Sequence, residues 1–311
     1  MKKSNLIVIS VFLVLLAQGC IPGGGVTPDP ATQVPPTPVL VTPEPATATL
    51  PPPTVQPPAT ATQLPASPTP APADTTVPLP PTEPVVTATP AQPEAILIQQ
   101  PGPGSRVAGP VRVSGMADPT FEQSLVVTIL TADGTALATV PTQIGADVGQ
   151  RGPFAVDVPF NVSAEQQGYI QVYAISARDG GVTHLSSVGV TLLPPGGAAA
   201  IQPVTEQPEQ VIIQQPAVGM TISGGTVRVA GFGLASFEQT LLVELLDESG
   251  QVIASAPIIV AAPDLGQPGP FNADLSYSVS TGQAGRVQVR DVSPAHGGNS
   301  HLSSVEVRLE P

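Results

Sequence analysis

The chain contains one pattern twice. Ile98-Gln99-Gln100-Pro101 returns as Ile213-Gln214-Gln215-Pro216, an offset of 115 residues. Val111-Arg112-Val113 returns as Val227-Arg228-Val229, and Phe121-Glu122-Gln123 as Phe237-Glu238-Gln239, both at 116. Gly152-Pro153-Phe154 returns as Gly269-Pro270-Phe271, and His184-Leu185-Ser186-Ser187-Val188 as His301-Leu302-Ser303-Ser304-Val305, both at 117. Each added residue falls where turn formers cluster, as when loops absorb insertions while the elements between them keep register. Whatever the chain folds into must close within about a hundred residues and be built twice.

Within the first copy, short apolar runs are punctuated by turn residues. Strands are expected at Ile96–Gln99, Val111–Met116, Leu125–Thr131, Thr135–Val140, Phe154–Phe160, Tyr169–Ser176 and Leu185–Leu193. Asp133-Gly134 between two of them is a hairpin signal. No window of helical length holds a 3.6-residue period, so the fold class is all-β. Seven strands in about a hundred residues is the count of an immunoglobulin-like sandwich. The expected organisation is a signal segment at 1–19, a stalk at 20–94, a first sandwich at 95–194, a linker at 195–210 and a second sandwich at 211–311.

The stalk is defined by what it lacks. Ile21 to Glu94 holds 23 of the 41 prolines and no Phe, Tyr, Trp, Lys or Arg. Such a segment cannot bury enough apolar surface to offset its chain entropy, and is expected to be disordered. Proline also fixes φ and disfavours helix in the preceding residue, so an extended, polyproline-rich spacer follows. At ~3.1 Å per residue its 74 residues reach at most about 230 Å. Asp29, Glu44, Asp74, Glu83 and Glu94 are read here as stalk acids without a compensating base.

Ahead of the stalk, Lys2 and Lys3 precede the uncharged run Leu6 to Ala17. That run is short of the roughly 20 residues needed to span a bilayer, yet suits the apolar core of a signal peptide. It ends in Leu16-Ala17-Gln18-Gly19-Cys20, which resembles the lipobox of bacterial lipoproteins. The implied chemistry is diacylglyceryl transfer to the Cys20 thiol and cleavage after Gly19. The membrane is thus an expected partner through lipid on Cys20, with the chain exposed on the outer side of the cytoplasmic membrane. Cys20 is the only cysteine, so neither sandwich can be closed by an internal disulfide.

With a net charge of −13 the chain shows no basic footprint for neutralising phosphates, so nucleic acid is not an expected partner. Both copies, along nearly their whole length, resemble the immunoglobulin-like domain of bacterial spore germination. The resemblance rests on the first strand ending at Pro101 and Pro216, the Val-x-Val-x-Gly strands Val111 to Gly115 and Val227 to Gly231, the Phe-Glu pairs and Gly-Pro-Phe. Ser176-Ala177-Arg178-Asp179-Gly180 adds to it, whereas the second copy departs there with Ser293-Pro294-Ala295-His296-Gly297. It implies an adhesive or scaffolding module without established catalysis. A germination role does not follow, because the family's germination partner domain has no counterpart in these residues.

Candidate chemistry is sparse. His184 and His301, with nearby serines and the repeated Glu122 and Glu238, have the residue types of a Ser-His-acid hydrolase. Ser186 and Ser303 sit mid-strand, however, where no sharp turn presents a nucleophile. Alternation instead puts His301 and Ser303 on the core-facing side with Val305, Val307 and Leu309, as hydrogen-bonded groups at one end of the sandwich. The carboxylates Asp133 and Asp179 are isolated and explained by turn chemistry, so neither a metal nor any other cofactor is expected.

One surface carries a bet. With Val287 and Val289 inward, Arg286, Gln288 and Arg290 point outward, and the equivalent residues of the first copy are Tyr169, Gln171 and Tyr173. These six form a candidate recognition face for an envelope protein or glycan, weighed against ordinary cross-strand pairing. The reading is a non-enzymatic, lipid-anchored surface protein, with a surface hydrolase and a purely structural spacer as alternatives.

Overall fold

The computed structural model describes residues 92–311, Ser236 excepted. The signal segment, Cys20 and the stalk up to residue 91 lie outside the described residues. Among the described residues, sixteen strands form two copies of one arrangement. The first copy comprises β1 (Ile96–Gln100), β2 (Arg106–Ala108), β3 (Val111–Ala117), β4 (Ser124–Thr131), β5 (Ala136–Gln143), β6 (Gly152–Val158), β7 (Gln166–Ile175) and β8 (Val182–Leu193). The second comprises β9 (Val211–Gln215), β10 (Thr221–Ile222), β11 (Thr226–Gly233), β12 (Thr240–Leu246), β13 (Val252–Ile259), β14 (Gly269–Ser276), β15 (Gln283–Val292) and β16 (Asn299–Leu309).

In each copy a three-stranded sheet faces a larger one. β1-β3-β6 covers β5-β4-β7-β8, and β9-β11-β14 covers β13-β12-β15-β16. The larger sheets gain a short parallel strand at the edge, β2 on β8 and β10 on β16. Period-two alternation fills the space between: Val113, Val127, Ile129, Phe154, Val172 and Leu192 in one core, Val229, Val243, Leu245, Phe271, Val289 and Leu309 in the other. Full burial of such a side chain contributes about 1.5–3 kcal/mol, which lets both cores stand without a disulfide.

The repeated motifs prove to be geometric requirements. β1 crosses β3 so closely that a Cβ on Gly115 would stand 1.9 Å from the Leu97 carbonyl oxygen, and one on Gly231 equally close to that of Ile212. The Phe-Glu-Gln motif turns the chain through the left-handed region, with φ of 52° at Glu122, 55° at Gln123, 47° at Glu238 and 53° at Gln239. That conformation is costly for residues with side chains. Gln123 holds it by donating its buried amide to the carbonyls of Ala146, Asp147 and Gln150.

Residues 195–210, expected as a linker, run along the first sandwich as a bound strap. Arg106 and Ala200 exchange two backbone hydrogen bonds of 2.9 Å, Val204 N–H donates to Gln99, and Glu209 N–H to Gln92. Both sandwiches lie within one compact unit.

Candidate functional site

The two larger sheets are one sheet. The free edge of β8 pairs with β16, His301 opposite Ser186 and Leu302 opposite Leu185, so a single ten-stranded sheet runs through both copies. Leu302 is the repeat equivalent of Leu185, so this contact is self-complementary about that pair, as at the axis of a two-fold dimer. The flanking bonds obey the same symmetry. Ser187 Oγ donates to Ser300 O at 2.6 Å, and Ser304 Oγ donates to Thr183 O at 2.7 Å.

This edge brings the repeated histidines together, and two acids from the lead-in residues of β1 and β9 close over them. Glu94 Oε1 lies 2.9 Å from His301 Nε2 and 3.3 Å from His184 Nε2. Glu209 lies 3.3 Å from His301 Nε2 through Oε1 and 3.8 Å from His184 Nε2 through Oε2. The imidazole rings meet edge to face, 5.2 Å between centroids. The acids are held crosswise: Gln210 N–H donates to Glu94 and Ala95 N–H to Glu209, at 3.1 and 2.8 Å. Ser186 Oγ donates to Glu94 at 2.7 Å. Ser303 Oγ lies 3.2 Å from Glu209 Oε1 and 3.3 Å from His184 Nδ1.

Glu94 and His301 are shifted by their surroundings in this nearly dry site. Burial alone would raise the Glu94 carboxyl, but hydrogen bonds from His184 and His301 override it and hold the group far below the usual carboxylate range. Burial alone would lower His301, but hydrogen bonds to Glu209 and Glu94 override it and raise its pKa to about 9. The Nδ1 of His301 has no hydrogen-bond partner. His184 is the only member with appreciable exposure, 17% of its side chain. It lines a groove of about 460 Å³ with Phe121, Ile175 and Arg178.

The sequence paired these histidines with the wrong acids. Glu122 and Glu238 are turn residues; the carboxylates that reach the imidazoles are Glu94 and Glu209. Glu94 is no solvated stalk acid but is buried, with two histidines as partners. A signal for it existed, because Gln92-Pro93-Glu94 returns as Gln207-Pro208-Glu209 at the same offset as the first strand. Among the described residues, the isolated carboxylates Asp133 and Asp179 hold no metal-type cluster, but four ligand-type atoms of Glu94, His184, Glu209 and His301 lie within 4.8 Å of one another.

The candidate recognition face also needs correction. Alternation in β15 is as expected, with Val287 and Val289 fully buried, but the opposite side is not open surface. Arg286 is 1% exposed, Gln171 and Gln288 are buried, and Tyr169, Tyr173 and Arg290 are half-buried. Arg286 pairs with Asp179 across the junction at 3.1 Å, and Gln171 donates to Asn299 O at 2.7 Å. Tyr169 packs on His296, ring centroids 5.1 Å apart, while Arg290 and Gln288 bind Glu244. Tyr173 lies 3.4 Å from Thr128 Oγ1. Part of the face meets the sister domain, where the β7–β8 turn at Asp179 lies against Arg286 and the β15–β16 turn at His296 lies against Tyr169.

As a hydrolytic site the constellation is poorly disposed. Ser303 is buried mid-strand, its hydroxyl held between His184 and the Glu209 carboxylate. A nucleophile needs room for a substrate carbonyl at that position.

Fold and site together define a tandem immunoglobulin-like β-sandwich protein whose copies are docked about a pseudo-two-fold axis. The chain belongs to the family of the immunoglobulin-like domain of bacterial spore germination, whose model matches residues 95–181 and 210–298, more than half of the sequence. No curated protein matches it significantly. Solved structures give distant likenesses. Red sea bream transglutaminase is 8% identical with a TM-score of 0.25, over 71% of this chain and 32% of that one, so the match spans about a third of the enzyme. The Salmonella enterica SafA pilin in complex with the SafB chaperone is 10% identical over 67% of this chain and 95% of that one, TM-score 0.21. The E. coli chaperone DraB is 11% identical over 68% and 97%, TM-score 0.22.

Proposed function

We propose that this protein is a non-catalytic surface protein, lipidated on Cys20, whose two sandwiches act as a single docked head that binds or scaffolds another component of the cell envelope. The observation that carries the reading is the shared sheet through β8 and β16, reinforced by the buried Glu94–His184–Glu209–His301 cluster. It makes a duplicated module one body of fixed shape rather than two beads on a string. A body of fixed shape presents its outward surfaces in a constant relation, which lowers the ordering cost of binding. A proline-rich stalk would hold that head away from the lipid. The partner is an envelope protein or glycan, met by surfaces other than the buried junction.

Three experiments test the reading. Metabolic labelling with an alkyne fatty acid should mark the wild-type chain and not Cys20→Ser, which should be released from the membrane fraction. Label that persists in Cys20→Ser overturns the anchor. Photo-crosslinkers on exposed residues of the head in living cells should capture a reproducible envelope component. Repeated absence of any adduct would favour the plain spacer, and turnover in a substrate panel that vanishes in His184→Ala or His301→Ala would establish an enzyme.

A further inference from the structure

We propose that Glu94, His184, Glu209 and His301 bind one divalent transition-metal ion of the zinc class, which fastens the two sandwiches across their pseudo-two-fold axis. The four carboxylate–imidazole separations are 2.9, 3.3, 3.3 and 3.8 Å. A tetrahedral ion with ligands at about 2.0–2.1 Å has ligand–ligand edges of about 3.3 Å. Two imidazole nitrogens and two carboxylate oxygens also suit a borderline ion better than calcium or magnesium, which take oxygen ligands in larger numbers. Once the rings give up their Nε2 protons to the ion, two carboxylates and two neutral imidazoles sum to −2, so one such ion leaves the site neutral.

The outer hydrogen bonds point the same way. A carboxylate cannot donate, so the Ser303 hydroxyl donates to Glu209 Oε1 and offers its lone pair to His184 Nδ1–H. The Nε2 of His184 then faces the carboxylates of Glu94 and Glu209. That nitrogen is where a metal ion would displace the proton that otherwise bridges it to the carboxylates. The hydroxyl on Nδ1 is the kind of outer partner that orients a ligating histidine. Glu94 is oriented in the same manner, by Ser186 Oγ and Gln210 N–H. Each half of the chain supplies one histidine and one acid, so the site is complete only when both sandwiches are docked. The partly exposed edge of His184, lining the groove with Phe121, gives an ion its way in.

The test uses the full-length chain without a histidine tag, purified in detergent and stripped with a chelator. Zinc titrated against a chromophoric chelator should bind at one equivalent per chain. Cobalt(II) should give the visible absorption of a tetrahedral N/O site. His184→Ala and His301→Ala should each weaken binding by more than about a hundred-fold, given that outer-sphere changes alone cost 10–100-fold. His296→Ala, which removes the third histidine, should leave affinity unchanged. Because His301 is fully buried, His184→Gln and Glu209→Gln serve as milder variants, with metal-free circular dichroism and melting compared with the parent chain. A folded parent that fails to take up zinc or cobalt overturns the proposal. Uptake that survives in folded His184→Gln and Glu209→Gln overturns it too.

Discussion

Asp179 and His296 occupy the same position in the two copies, and each has a partner of matching chemistry in the other. Asp179 faces Arg286; His296 faces Tyr169, the residue equivalent to Arg286. The departure of the second copy from the Asp-Gly turn is thus one half of a paired exchange. Arg286 and Asp179 are both sealed from water, their side chains 1% and 0% exposed. Removing Arg286 would leave the buried Asp179 carboxylate to the partly exposed Arg178, 3.2 Å away, so Arg286→Ala should cost about 3 kcal/mol in urea unfolding. Asp179→His combined with Arg286→Tyr, which copies the other half, should recover most of that loss. Burial would raise Asp179, but the Gly181 N–H, Arg286 and Ser176 outweigh it and lower its pKa to about 2. A depressed acid stabilises the fold fully above its unfolded value of about 3.9 and loses that contribution as pH falls through 2. Melting temperature measured from pH 5 down to 2 should therefore fall more steeply in the parent than in Asp179→Asn.

Among the elements, strand pattern was readable and strand neighbour was not. The seven strands expected in the first copy correspond to β1 and β3 to β8, because alternation and turn residues are local signals; three-residue β2 is too short to leave one. Gly115 and Gly231 were recognised as part of a motif, and the structure supplies the reason in the close crossing of β1 over β3 and β9 over β11. Gly115→Ala should destabilise the first sandwich by about 1–3 kcal/mol, the usual range for overpacking, as read by chemical denaturation. The pairing of β8 with β16 left no trace of this kind, since any edge strand alternates whether or not another strand joins it. Leu185 and Leu302 stand at the centre of that contact and are both buried. Leu185→Asp should part the two sandwiches while leaving each core intact. Small-angle scattering should report a larger radius of gyration, and limited proteolysis should report new cleavage within 195–210. An unchanged profile in both would show that the shared edge does not hold the head together.

For the molecule as a whole, duplication produces in one chain what a symmetric dimer produces with two. The isologous contact needs both copies at equal stoichiometry, and carrying them on one chain through residues 195–210 guarantees it. Thermal unfolding of the parent should then be a single cooperative transition, since neither half can open without exposing Arg286, Gln171 and the four-residue cluster. Leu185→Asp should split that transition into two, resolved by calorimetry.

The sequence by itself determined the β class, the number of copies, most strands and the motifs that turn them. These follow from period, turn chemistry and repetition, all of which act over a few residues. It also identified His184 and His301 as a matched pair worth explaining. Their partners were decided only by tertiary structure. Glu94 and Glu209 lie 90 and 92 residues from the histidine of their own copy, and the histidines lie 117 apart. No local rule brings such residues within hydrogen-bonding distance; the docking of one sheet edge on the other does. The same docking covers part of an expected outer face, at Arg286, Tyr169 and Gln171, because a strand's alternation says which residues share a side and nothing about what covers it.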